Sequence, residues 1–164
     1  MSRQGLKLAV KIGMSRRKFL NRESAENHFD NLKKDVYELI EWLRKEYPNE
    51  CLDYSPESLK SIEKIYFDYS DKNKFREESI TKDEFEILLA IYYGNVYVVN
   101  EKANWTIVED VFIRDNRFYL AIKSINEFIT IDCTKWGNHE KRPSNKRRQM
   151  IYREYKKYEL YCTN

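Results

Sequence analysis

The residues best suited to gripping a partner gather near the C-terminus. Lys141, Arg142, Lys146, Arg147, Arg148, Arg153, Lys156 and Lys157 fall in one stretch that also holds Tyr152 and Tyr155. Cations on long stems meet phosphates and phenol rings stack on bases, which is the chemistry of single-strand binding. Lys141, Arg142, Arg147, Arg148, Tyr152 and Arg153 are therefore the candidate contacts for a partner or a nucleic acid. Glu140, Glu154 and Glu159 interrupt the run, and Lys and Arg equally suit the polar face and the C-terminal end of a helix. A second cluster is aromatic. "EILLAIYYGNVYVVNEKANW", residues 86–105, is nearly uncharged, and Tyr93, Tyr97 and Trp105 are the candidates for an aromatic surface. The competing reading is structural. From Ile87 to Val99 apolar residues fall on every side of the helical wheel, and such a helix is normally enclosed by its own domain.

Catalytic and metal chemistry find little footing. His28 and His139 lack a neighbouring Cys or carboxylate at ligand spacing, and Cys51, Cys133 and Cys162 are far apart with no C-x-x-C, so neither a zinc site nor a disulfide framework is indicated. "NKFREESITKDEF", residues 73–85, sits between two helices as a calcium loop does, with Glu84 at the bidentate position. Phe75 stands where an oxygen ligand is required, and Glu78 where the turn needs Gly. Glu109 and Asp110 are adjacent on a strand and point to opposite faces, a poor acid–base pair. Neither G-x-S-x-G nor H-E-x-x-H occurs, and the chain's 4 glycines leave little for a phosphate-cradling loop. The expectation is no metal, no cofactor and no catalytic residue.

Four helices and three strands must position these groups. Ser24 is the expected cap of a helix carrying Phe29, Leu32, Val36, Leu39, Ile40, Leu43 and Tyr47 at spacings of three and four, ending near Pro48. Ser55 caps the next, with Pro56 at its first position and Leu59, Ile62, Ile65 or Tyr66, and Tyr69 on one face. Thr81 and Glu84 stand in capping-box spacing before Phe85, Leu88, Leu89, Tyr92, Val96 and Val99, with a turn into a strand after Gly94 as the alternative end. After Asn100 the period changes to that of strands in "WTIVEDVFI", "RFYLAIKS" and "FITIDCT". Ser144 is the expected cap of a last helix with Ile151, Tyr155, Tyr158 and Cys162 as its seam.

A chain of 164 residues is long enough for one proper core. Its 35 % charged and 15 % aromatic residues, with only 4 Gly and 3 Pro, favour a helix-rich globular fold. The net charge of +3 is too small to argue for nucleic acid by itself. "SRRKFLN", residues 15–21, looks like a twin-arginine export motif, but charged residues follow where an apolar stretch is needed. No run approaches the ~20 apolar residues of a spanning helix, so no membrane partner and a cytoplasmic location are expected. Met14-Ser15-Arg16 repeats Met1-Ser2-Arg3 and offers an alternative start.

"LDYSPESLKSIEKI", then "LLAIYYGNVYVVN" and the Trp-led "WTIVED", together resemble a group of small uncharacterised bacterial domains over residues 52–135. That group has a D-[F/Y]-S-x-x-S-L helix start, a Y-x-G-E-V helix and a following Trp. Here Asn95 stands where an acidic residue is usual. The resemblance implies an α+β domain with no known catalytic centre, and a role as an immunity or accessory binding protein. The expected architecture is one α+β domain over residues 1–164, with residues 1–20 peripheral. Three N-terminal helices pack on a three-stranded antiparallel meander, and a C-terminal helix closes one side. The expected function is non-catalytic binding of another protein, with nucleic-acid binding through the basic C-terminal helix as the alternative.

Overall fold

The computed structural model describes residues 17–76, 80–110, 115–123, 128–130 and 149–162. The fold is mixed α+β. In chain order it comprises β1 (Arg17–Lys18), α1 (Arg22–Glu46), α2 (Ser58–Asp71), a 3-10 turn (Lys74–Arg76), α3 (Lys82–Asn100), β2 (Asn104–Glu109), β3 (Arg117–Lys123), β4 (Phe128–Thr130) and α4 (Met150–Cys162).

α1 buries Phe29, Leu32, Val36, Leu39, Ile40 and Leu43, the stripe its spacing implies. Its start differs from expectation. Asn21, extended at φ −159°, is the cap, and its Oδ1 accepts the Ser24 N–H at 2.8 Å. α2 buries Leu59, Ile62, Ile65, Tyr66 and Tyr69 together with Glu63, a carboxylate inside the apolar stripe. Thr81 and Glu84 form the reciprocal capping box of α3: Thr81 Oγ1 accepts the Glu84 N–H at 3.2 Å, and Glu84 Oε2 accepts the Thr81 N–H at 2.7 Å. The carboxylate that a calcium loop would need is thus engaged in starting a helix.

α3 is the centre of the core. Twelve of its 19 residues are buried, so no broad face of it meets solvent. It does not turn into a strand after Gly94 but stays helical to Asn100. Val96 is fully buried, and this packing outweighs the mild helix aversion of β-branched residues. Val99, expected in the core, is instead 63 % exposed in the last turn.

β3 is the middle of an antiparallel sheet. β2 pairs along one edge, with Trp105 opposite Ile122 and Ile107 opposite Leu120. The short β1 and β4 share the other edge. Phe118, Leu120 and Ile122 alternate inward as strand periodicity requires. β1 is a strand that sequence reading did not anticipate, and next to it Phe19 enters the core against His28 and Phe29, at ring distances of 5.4 and 5.6 Å. Among the described residues no helix is long and apolar enough to cross a membrane. Residues 1–16 and the expected Ser144 cap lie outside the described residues.

Candidate functional site

The stretch "DYSPES" builds a chain of hydrogen bonds that joins α2 to α3. Asp53 Oδ1 accepts the Ser55 N–H at 2.9 Å, and the Ser55 hydroxyl and amide hold the Asp53 carboxyl below its usual range. Ser55 Oγ accepts the Ser58 N–H at 3.2 Å, so Ser55 caps the entry to α2 although regular helix begins only at Ser58. The Ser58 hydroxyl donates to the Ser55 carbonyl at 2.6 Å and accepts the Tyr92 hydroxyl of α3 at 2.6 Å. Burial pushes the Tyr92 phenol up to about 12, so it donates at any physiological pH. Every proton in this chain already has a destination. The Ser58 hydroxyl gives its proton to a backbone carbonyl, and the arrangement ties α2 to α3.

Tyr54 is the keystone of the same node. Its φ of 63° lies in the left-handed region, which costs a non-glycine residue about 1–2 kcal/mol. Both its backbone groups are tied: the N–H donates to the Tyr92 hydroxyl at 3.1 Å, and the carbonyl accepts from Asn100 Nδ2 at 2.7 Å. Its ring stacks on Tyr92 at 4.8 Å, with the Arg44 guanidinium 5.6 Å from its centroid.

The second half of the resemblance serves packing as well. Gly94 leaves room for the Trp105 ring: a Cβ there would stand 2.2 Å from Trp105 Cη2 and 3.1 Å from Ile122 Cδ1. Trp105 Nε1 donates to Asn95 Oδ1 at 2.9 Å. An amide does here what is needed of an acceptor, so the neutral residue at 95 fits its surroundings.

The aromatic surface expected from Tyr93, Tyr97 and Trp105 does not exist as such. Tyr93 and Tyr97 are 4 % and 0 % exposed, their hydroxyls 3.1 Å apart, and Tyr155 of α4 packs against Tyr97 at 4.6 Å. Trp105 is half-buried, with one face on Gly94 and Lys33 Nζ 5.8 Å from its ring. Tyr93 and Tyr97, four residues apart, share one face of α3, and α4 covers that face.

Of the candidate basic contacts, Lys141, Arg142, Arg147 and Arg148 lie outside the described residues. Tyr152 and Arg153 are on α4, with Arg153 exposed. Tyr152 is half-buried, with Lys60 Nζ 4.1 Å and Lys156 Nζ 5.7 Å from its ring and its hydroxyl 3.4 Å from Glu57 Oε1.

Sequence reasoning missed Glu63, which holds α4 in place. From inside α2 its two carboxylate oxygens accept the N–H groups of Met150 and Ile151 at 3.1 and 2.8 Å, capping α4 from another helix. Burial raises its ionisation above the usual glutamate range, and the N–H groups partly offset that. The signal was present in the string as a lone carboxylate within the seam of Leu59, Ile62 and Tyr66. At the other end of the contact Tyr155 donates to Glu101 Oε1 at 2.7 Å.

Among the described residues no cluster of three His, Cys, Asp or Glu side chains is arranged to hold a metal ion. His28 serves packing beside Phe19 and Phe29, Cys51 is exposed, and His139 and Cys133 are outside the described residues. Comparison with curated proteins and with solved structures finds no match. The family model described as "Uncharacterised protein YwmA" matches residues 18–159, a span holding the capped α2 entry, the Gly94–Trp105 contact and the Glu63 cap, and the chain belongs to that family.

Proposed function

We propose that the protein is a non-catalytic module that binds another protein in the cytoplasm, in the manner of a bacterial immunity or regulatory accessory factor. In this reading the three helices before β2 and the meander of β2, β3 and β4 are the rigid frame, closed on one side by α4. The supporting observation is Tyr37 on the outer face of α1, 55 % exposed where Tyr47, Tyr54, Tyr119 and Tyr152 are half-buried and the tyrosines of α2 and α3 are buried. Glu41 stands one turn away, and Arg44, paired with it, a turn further on. An amphipathic ring bordered by charge is the composition of an interface anchor.

The alternative, single-strand binding through α4, draws less support. Tyr152 has ammonium groups near its ring and a carboxylate at its hydroxyl, so stacking a base there would first displace protein contacts. Capture with the tagged full chain from its native host tests the proposal. A stoichiometric protein partner, weakened tenfold or more by Tyr37→Ala, is expected. Recovery of nucleic acid or a small molecule with no protein would refute it.

A further inference from the structure

α4 rests on the body of the protein as a ligand rests in a groove. Its first N–H groups are received by Glu63 of α2, its Tyr152 hydroxyl by Glu57 just before α2 and its Tyr155 hydroxyl by Glu101 just after α3, so three carboxylates meet residues 150–155 of the helix. Between them Tyr93 and Tyr97 form an aromatic floor on which Tyr155 sits, at 6.5 and 4.6 Å. Among residues 150–157 only Ile151 and Tyr155 are buried. Arg153, Lys156 and Lys157 outnumber Glu154 and Glu159 on the same helix, so a mildly basic amphipathic helix with two apolar anchors four residues apart meets an acid-edged aromatic groove.

We infer that the groove between α2 and α3, edged by Glu57, Glu63 and Glu101 and floored by Tyr93 and Tyr97, is a docking site for a basic amphipathic helix of a partner protein, with α4 as its exchangeable occupant in cis. This rests on the protein-binding reading and specifies the partner's chemistry. A competing helix needs an aliphatic residue to replace Ile151, an aromatic hydroxyl four residues later to reach Glu101, and a free N-terminal turn for Glu63 to cap. Charge complementarity sets the sign: an acidic helix would meet three carboxylates and be rejected.

The probe is a fluorescein-labelled peptide of this chain's own residues 149–162, titrated into the full chain and into Ile151→Asp, whose charge cannot be seated at a position 2 % exposed. Circular dichroism and size-exclusion chromatography are run on both proteins. The expected result is a folded monomeric Ile151→Asp that binds the peptide at least tenfold more tightly than wild type, with the gain abolished by adding Glu101→Lys. Equal affinity for both proteins would overturn the inference. So would global unfolding of Ile151→Asp, which would make α4 integral to the core, or a dimer formed by exchange of α4, which would make a second copy the occupant. If the native host yields a Tyr37-dependent partner while the peptide fails, the protein-binding proposal survives and the groove does not.

Discussion

Gly94→Ala puts the packing account of the Gly94–Trp105 pair at risk. On an exposed helix the substitution would stabilise by about 1 kcal/mol, since Ala loses less backbone entropy than Gly. Here the new methyl group would lie 2.2 Å from Trp105 Cη2 and 2.6 Å from Cζ2. Carbon atoms settle about 3.5–4.0 Å apart, so the ring must retreat by roughly 1.3 Å or more. It has little freedom to do so, because its Nε1 is held by Asn95, the residue next to Gly94, and Ile122 stands 3.1 Å from the same methyl position. Overpacking of this kind costs about 1–3 kcal/mol, which outweighs the helix gain at most of that range and leaves a net loss of about 1 kcal/mol. Equilibrium urea unfolding of Gly94→Ala, Trp105→Val and the double variant measures it. A coupling of about 1–2 kcal/mol is expected, with Gly94→Ala becoming stabilising once the ring is gone. Stabilisation by Gly94→Ala in the wild-type background, with additive effects, would refute the reasoning.

Three further substitutions probe the other ties. Thr81→Ala removes half of the capping box and should cost about 1 kcal/mol, read as a lowered midpoint in thermal unfolding followed by circular dichroism. Tyr92→Phe leaves the Tyr54 N–H without its acceptor and the Ser58 hydroxyl without its donor, a loss of about 1–3 kcal/mol in urea unfolding. Burial acts to raise the Asp68 carboxyl, but Lys72 and Lys74 more than offset this and hold it at about 2. A depressed carboxylate contributes stability that is full above its ordinary value of 3.8 and is lost as pH falls through about 2. Asp68→Asn should therefore cost on the order of 1–2 kcal/mol at pH 7, with most of that cost gone by pH 2 and the remainder lost below it, as measured by unfolding across that range.

Where one side chain's periodicity decided the matter, the sequence was legible. The stripes of α1 and α2 and the enclosed character of α3 follow from apolar residues at spacings of three and four, and the capping box from Thr81 and Glu84. Local ambiguity produced the smaller departures. Asn21 and Ser24 are both good caps, and only the extended backbone at Asn21 selects between them. Val96 and Val99 look alike in the string, yet one meets the core and the other lies beyond it. Long-range pairing was illegible. Nothing local marks Arg17–Lys18 as the partner of Arg117 and Phe118, a century of residues away, or joins Glu63 to the first amides of α4. Tyr93 and Tyr97 illustrate the same point from the other side, since a tyrosine reads as an interface residue until a covering helix supplies Tyr155.

The enclosure of α3 by the rest of the chain is tested most directly by native-state hydrogen exchange of the amides of residues 87–97, followed in increasing urea. Undocking of α4 uncovers the Tyr93 and Tyr97 rings but breaks none of the backbone hydrogen bonds within α3, so these amides can exchange only when the rest of the domain opens, and should share one free energy equal to that of global unfolding and fall with the same urea slope. Exchange of the Tyr92, Tyr93 or Tyr97 amides through a shallow local opening, several kcal/mol below the global value, would contradict the account.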